Sequence, residues 1–503
     1  MTSIFKFGED HLSPDLLSSI AAGTTQAIIS QEAKIGIERS SKIVEKIANG
    51  TKAVYGINTG FGSLCTERIT PEQTRLLQIN ILKSHAVGVG AYIAEGISKY
   101  MMILKVHNLS FGYSGIGLAT LNRIIWHIDN DIIPLVPSQG SVGASGDLAP
   151  LAHLFLPLIG LGEVMYKGEI RATKDVLDEF QLMPIDLGPK EGLALINGTQ
   201  FIAAHASNIV LRMRNLIDHA DLIGAMMIEG LSASIMPFRE ELHKLRPYQG
   251  SITTARNLSK LLKDSKIVAA HMDCDKVQDP YSLRCMPQVH GAARNALIHL
   301  EELVAIEINA VTDNPVVFSE ELVISGGNFH GQPLAMPIDY ICLAASEISN
   351  ISDRRIYLSL EGIHANVPKL LMTDTGINSG FMILQYTTAA LASENKGQCF
   401  PASADSIPTS LGQEDHVSMG SISARKALRV IENTEKVLAI EIICAAQAIE
   451  FHRPNKSSDA IERVHAQIRK QIPFFEKDQV FYPYIEYAAK LISSGQLIKL
   501  ADL

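Results

Sequence analysis

The sequence predicts a mainly α-helical protein, a bundle of long helices with a smaller mixed region toward the N-terminal side. Two observations carry that expectation. Apolar residues recur at helical spacing over 281–311, 333–361, 380–395 and 419–451, and most of these runs exceed the roughly three to four turns usual in globular proteins. Strand signals, by contrast, are few and short. With 503 residues, 47% of them hydrophobic, the chain has ample material for a large core, and helices of this length suit a bundle completed by further subunits.

Each element follows from local chemistry. Ser13-Pro14 joins a capping hydroxyl to a proline at the first helical position, and Ser30 opens a second helical stretch that runs to Gly50. Residues 53–62 read as a short β-like run breaking into a glycine-rich loop that carries Tyr55 and Asn58. Helical spacing returns over 71–84, ending at His85, and again over 94–109 and 115–129. A glycine-rich loop then precedes an apolar helix expected over 148–161, and 163–172 has the pattern of a hairpin turning at Lys167-Gly168. Asn197, a common type of helix cap, stands before a long helical pattern reaching Ser234, so a boundary is placed there between regions 1–196 and 197–503. Thr312-Asp313-Asn314-Pro315 marks a turn, with weak strand signal over 316–324.

Charge narrows the partners. Lys and Arg number 44 against 53 Asp and Glu, a net charge of −9, which disfavours nucleic acid or an anionic membrane and favours a small ligand. Residues 1–10 carry charges and no apolar secretory segment, and no apolar run is long and unbroken enough to span a bilayer, so a soluble cytoplasmic protein is expected. The six cysteines, Cys65, Cys274, Cys285, Cys342, Cys399 and Cys444, form no Cys-x-x-Cys pair and read as buried thiols. The 16 histidines form no His-x-x-x-His pair, so no metal is expected.

The loop from Gly140 to Pro150 is the richest stretch. Most glycine-rich runs before a helix are only turns. Ala144-Ser145-Gly146, however, holds the parts a backbone needs to cyclise on itself: an unhindered glycine nitrogen as nucleophile, a small residue whose carbonyl is attacked, and a serine hydroxyl that leaves as water. Elsewhere Tyr55, His85, Asn197, the run Tyr281-Ser-Leu-Arg284 and the run Gln413-Glu-Asp-His416 put polar groups on loops or helix ends. They supply a phenol, an imidazole, an amide, a guanidinium suited to a carboxylate and a carboxylate suited to an amine. Each has a plainer use alone, as packing, cap or surface charge, and spacing does not bring them together.

Gly140-Ser-Val-Gly-Ala-Ser-Gly-Asp-Leu-Ala-Pro-Leu-Ala-His153 resembles the signature of the aromatic amino acid ammonia-lyases, in which Ala-Ser-Gly becomes a 4-methylidene-imidazol-5-one. The likeness continues through Tyr55-Gly-Ile-Asn-Thr-Gly-Phe-Gly62, Leu195-Ile-Asn-Gly-Thr199, Val277-Gln-Asp-Pro-Tyr-Ser-Leu-Arg-Cys285, Gly326-Gly-Asn-Phe-His-Gly331, Ala392-Ser-Glu-Asn-Lys396 and Gln413-Glu-Asp-His-Val-Ser-Met419. Within the family, Ser84-His85-Ala86, Glu414 and Met382 are similar to the branch that acts on histidine. The pairing has a physical basis, because an imidazole rim both donates and accepts hydrogen bonds while a phenyl ring leaves polar partners unpaired. Gln139, Met286, His290 and the run Gly397-Gln-Cys-Phe400 depart from the common pattern and bear on substrate choice.

The resemblance implies a fumarase/aspartase-like helical fold, a homotetramer with shared active sites, and an electrophile made from Ala144, Ser145 and Gly146 with no external cofactor. It implies loss of ammonia from an amino acid, urocanate being the product from histidine, as the first step of histidine degradation. Arg284 then grips the substrate carboxylate, with Asn197 and Tyr281 completing a polar cradle and Gln278 beside them. Tyr55 is the expected base for the β-proton; a phenol needs nearby donors or positive charge for that task. His85 and Glu414 hold the imidazole or the departing amine, while Phe329 and Met382 line the pocket. A tyrosine or phenylalanine lyase, an aminomutase with the same electrophile, and an inactive helical scaffold are the other readings, with a metal-dependent hydrolase the weakest.

Overall fold

A computed structural model describes residues 4–64, 67–271, 277–364 and 367–503. The fold is mainly α-helical, with short strands, as the periodicity predicts. Cys65 and Cys274 lie outside the described residues; Cys342 and Cys444 are buried thiols, and Cys285 and Cys399 are half-buried ones.

The caps form as their chemistry demands. Ser13 Oγ accepts the Leu16 amide at 3.2 Å to start helix Pro14–Ala21, and Ser30 Oγ accepts the Ala33 amide at 3.0 Å to start Gln31–Ala48. The long periodic runs become helices Gln200–Gly230, Met286–Glu307, Gln332–Leu360, Met382–Gln398 and Gly420–Glu450. The hairpin pairs Glu163–Tyr166 with Glu169–Ala172, and the weak signal after Pro315 becomes the pair Val316–Val317 and Val323–Ile324.

Three local expectations need correction. Residues 53–62 form no strand, because Asn58 gathers the backbone into a loop: its Oδ1 accepts from the Val54 amide at 2.8 Å and its Nδ2 donates to the carbonyls of Ile47 and Lys52. The apolar run 148–161 is α-helical only over Leu148–Phe155, then tightens to a 3-10 turn, Leu156–Ile159, which ends at Gly160 in the left-handed region. Asn197 caps no helix start; it closes the short helix Glu191–Ile196, three residues before Gln200.

By internal contacts the chain forms two compact units, neither contiguous in sequence: Met1–Asn208 with Glu301–Ile338 and Pro401–Arg425, and Ile209–Leu300 with Asp339–Phe400 and Lys426–Leu503. This division is not the single break at Asn197 read from the sequence. In the first unit, helix Glu95–Ser110 is buried from Tyr100 to Ser110 without interruption and packs against Pro14–Ala21, Gln31–Ala48 and Leu118–Asp129. A helix apolar on all sides belongs in a core, yet this one carries Lys105, His107 and Asn108 inside it. The second unit is mostly helical, and several of its buried charges are paired: Arg355 with Glu441 at 2.5 Å, and Asp221 with both His290 at 2.8 Å and Arg294 at 2.6 Å. Among the described residues, no helix is long and apolar enough to cross a membrane.

Candidate active site

The first unit draws five of the expected residues around one cavity of about 450 Å³. Tyr55, His85, Ser145, Asn197 and Glu414 all line it, and Ala144 lines an adjoining cavity of about 250 Å³ that also touches His85 and Glu414. Helix Pro71–His85 presents Leu77, Ile81 and Ser84 on the same wall, spaced three to four residues apart as one helical face requires.

The loop that carries Ser145 is held in an unusual backbone shape. Gly143, Ser145 and Gly146 have φ of 81°, 48° and 80°, the left-handed region that non-glycine residues rarely occupy. Gly146 has no substitute: a Cβ there would lie 2.1 Å from the Gly198 carbonyl oxygen. The Gly198 amide donates to the Ser145 carbonyl at 3.2 Å, and the Asp147 amide donates back to the Gly198 carbonyl at 2.8 Å. Asp147 is fully buried and anchors the next helix, accepting from the Ile202 amide at 3.0 Å and from Ser141 Oγ at 3.2 Å. Burial pushes its carboxyl up to about 7 against the pull of those donors.

The side chains around the cavity make several separate polar contacts. Ser145 Oγ donates to Glu414 Oε1 at 3.0 Å, and Thr409 Oγ1 donates to Glu414 Oε2 at 2.9 Å. His85 Nδ1 lies 3.0 Å from Ser84 Oγ; burial lowers its imidazole pKa, with the Ile81 backbone and the Glu414 charge opposing. The Gly62 amide donates to Tyr55 Oη at 3.2 Å. Asn197 is buried, and its side-chain oxygen has no hydrogen-bond partner among the described residues. A buried amide oxygen without a donor is costly, so Asn197 is built to meet something that is not part of this wall.

Phe329 is in the first unit and half-buried, but it is not among the residues lining this cavity. Tyr281, Arg284, Gln278 and Met382 belong to the second unit. There Tyr281 is 70% exposed, and the Arg284 guanidinium lies 4.5 Å from its ring centroid. Arg284 Nε donates to the Asp279 carbonyl at 2.9 Å, and with the Gln278 amide in its favourable orientation both Arg284 terminal nitrogens reach Gln278 Oε1, at 2.8 and 3.0 Å. Met382 is the first residue of its helix. Of the departures from the family pattern, Met286 and His290 are fully buried in the second unit and press on Gly224 rather than on open space.

Four residues carry no assigned role in the sequence reading: Ser410 lines the cavity, and Lys105, Asp147 and Gly198 hold the turn at Asn197, the last two having entered only as members of matched motifs. Lys105 carries a readable signal, a lone lysine within the apolar run Met101-Met-Ile-Leu-Lys-Val106. Gly198 has none beyond its motif and its place after Asn197, and Ser410 has none.

Residues 12–470 match the model of the family described as aromatic amino acid lyase. The chain belongs to that family. It is 45% identical over 475 residues to the histidine ammonia-lyase of Natranaerobius thermophilus, covering 94% of each chain. Among solved structures it is similar to the histidine ammonia-lyase of Trypanosoma cruzi, with a TM-score of 0.91, 38% identity, and coverage of 99% of this chain and 95% of that one. It is also similar to the tyrosine aminomutase of Streptomyces globisporus, with a TM-score of 0.94, 32% identity, and coverage of 99% and 98%.

Proposed function

We propose that the chain is a histidine ammonia-lyase, eliminating ammonia from L-histidine to give trans-urocanate, the first step of histidine degradation. The observation that carries this reading is the convergence of Ser145, Glu414 and His85 on one cavity, with Ser145 hydrogen-bonded to Glu414. A carboxylate and an imidazole suit a polar heteroaromatic ring and would be left unpaired by a phenyl ring. The relatives named for histidine, at 45% and 38% identity, support the same choice.

The backbone fits a 4-methylidene-imidazol-5-one made from Ala144, Ser145 and Gly146. Positive φ values fold the tripeptide back on itself, and the Gly146 backbone lies too close to the Gly198 carbonyl for any side chain. That group supplies an electrophile for the substrate amine, so no external cofactor is required. The remaining work belongs to side chains. Asn197 meets the substrate with its unpartnered Oδ1, an acceptor suited to an ammonium. Tyr55 Oη takes the β-proton; the Gly62 N–H already points at that oxygen, where negative charge develops when the phenol ionises. Glu414 and His85 orient the imidazole and receive the departing amine. Tyr281, Arg284 and Gln278 bind the substrate carboxylate, with Phe329 and Met382 shielding the ring, in a homotetramer whose subunits share their sites.

The test joins mass to turnover. The wild-type chain is expected to be lighter than its sequence by two waters and to raise the ultraviolet absorbance of a conjugated acid fastest with histidine. Ser145→Ala is expected to keep its full mass and to lose deamination. An unshifted wild-type mass with full activity overturns the electrophile, and faster turnover of tyrosine overturns the substrate. The likeness to a tyrosine aminomutase gives a second reading within the same chemistry, separated by whether a β-amino acid forms.

A further inference from the structure

Two lysines are fully buried in the first unit, and they are held differently. Lys190 has a carboxylate, donating to Asp313 Oδ2 at 2.5 Å and to the Ser114 carbonyl at 3.0 Å. Among the described residues Lys105 has only neutral acceptors: its Nζ donates to the Asn197 backbone carbonyl at 2.5 Å and to Gln200 Oε1 at 3.2 Å. Burial is the main influence on this ammonium and pulls it down to about 7, with Lys190 adding to that and the charges of Asp313 and Asp147 opposing it. Interior ammonium groups are costly without a carboxylate, so a lysine kept here on a backbone carbonyl calls for a reason.

The carbonyl it holds leads straight to the ring-forming residues. It belongs to the Asn197–Gly198 peptide, whose N–H donates to the Ser145 carbonyl at 3.2 Å. The turn is clamped from its other side, since a Cβ on Gly198 would lie 2.7 Å from Gln200 Oε1 and 2.8 Å from Thr312 Oγ1, and Gln200 Nε2 in turn donates to Thr312 Oγ1 at 3.0 Å. A continuous chain therefore runs from the Lys105 ammonium through one peptide unit to the Ser145 carbonyl. Hydrogen bonds in such chains polarise one another, most strongly where the first donor is charged and the surroundings are dry.

We infer that Lys105 is a positioning residue for maturation, polarising the Asn197–Gly198 peptide so that its N–H draws electron density from the Ser145 carbonyl. The inference rests on the electrophile reading above. In ring formation the Gly146 nitrogen bonds to the Ala144 carbonyl carbon, and the Ala144 oxygen leaves as water with the amide protons of Gly146 and Ser145. Ser145 Oγ leaves as a second water with its own proton and the Ser145 Cα proton. Two of the four protons shed, those on Gly146 N and Ser145 Cα, are attached beside the Ser145 carbonyl, and withdrawal of density from that carbonyl acidifies both. The relay thus acts on both waters.

The experiment follows the intact mass of the full chain with time after synthesis, for wild type, Lys105→Met, Lys105→Arg and Gln200→Glu, alongside helical circular dichroism and the thermal midpoint. Lys105→Met is expected to fold and to lose its waters on the order of tenfold more slowly, the scale of one charge-assisted hydrogen bond; Lys105→Arg restores part of the rate. Gln200→Glu keeps the buried cation but sets a carboxylate beside it that draws the ammonium off the Asn197 carbonyl, so it also slows the mass loss, and it decides the matter where Lys105→Met does not fold. A folded Lys105→Met or Gln200→Glu chain that sheds two waters at the wild-type rate overturns the inference. A wild-type chain that sheds none overturns the electrophile itself, which is a separate failure.

Discussion

The cavity wall in the first unit and the 278–284 segment in the second are both polar, yet they are assembled in opposite ways. Around the cavity the partners are remote in sequence: Ser145 meets Glu414 across 269 residues, Lys105 meets Asn197 across 92, and Asp147 meets Ile202 across 55. In the other segment, Arg284 bonds to Asp279 and Gln278 and stacks on Tyr281, all within six residues. Asn197 is 3% exposed and Tyr281 is 70% exposed. The first group exists only when the unit is folded, whereas the second is shaped by its own turn. Buried groups with remote partners carry preorganisation; a half-buried guanidinium with local partners is able to exchange them for a carboxylate of matching geometry.

The largest test of this contrast is Tyr55→Phe. If the cavity is the reacting centre, removing one hydroxyl there abolishes a proton transfer, and turnover falls by about 10²- to 10⁴-fold, the usual worth of a positioned acid or base. The chain's mass is expected still to show two lost waters, because the ring is made from Ala144, Ser145 and Gly146 alone. A kcat within a factor of about two of wild type would falsify the assignment of Tyr55, given that general-base loss is never so mild.

Arg284→Met probes the other half. The side chain's partners are all local, so the fold and the mass loss stay unchanged, while kcat/KM for histidine drops by about 10²-fold through loss of a charge-assisted pair with the substrate carboxylate. Imidazole-ring analogues that lack the carboxylate should bind wild type and Arg284→Met alike. Equal kcat/KM for the two proteins removes Arg284 from the site and leaves it only its local contacts with Gln278, Asp279 and Tyr281.

What was legible in the sequence follows the same division. Ser13 and Ser30 announced their helices because a cap acts over three residues, and the long helices were readable because a 3.6-residue period repeats over many turns. The pairing of Phe5–Phe7 with Ala27–Ile29, and of Val89–Tyr92 with Pro137–Gln139, escaped because strands this short establish no period and their partners are distant. The residue types of the site were readable from their motifs, but not the turn that places Gly198 under Ser145. Lys105 was passed over although its apolar neighbours marked it, since a lysine is read as surface until the fold shows a carbonyl waiting for it.

The smallest effect concerns a buried group just behind the cavity. His205, on helix Gln200–Gly230, is fully buried, its Nδ1 2.8 Å from the Phe201 carbonyl, and burial holds its imidazole down to about 4. Unfolded, the same group titrates near 6.5, the ordinary value for histidine. Between those values the unfolded chain binds a proton that the folded chain refuses, so the stability His205 supplies is complete above pH 6.5 and is lost as pH falls toward 4. Asp147 works the other way, since its raised carboxyl favours the folded state at lower pH, and a difference between variant and wild type cancels that shared contribution. His205→Gln keeps a donor for the Phe201 carbonyl and cannot titrate. Denaturant melts at pH 7 and pH 5 should therefore show the variant losing about 2 kcal/mol less than wild type over that interval, the worth of roughly one and a half pKa units. Equal losses would mean that His205 takes up its proton in the folded chain, and that the helix behind Asn197 is open to water where the fold-built half of the comparison requires it to be dry.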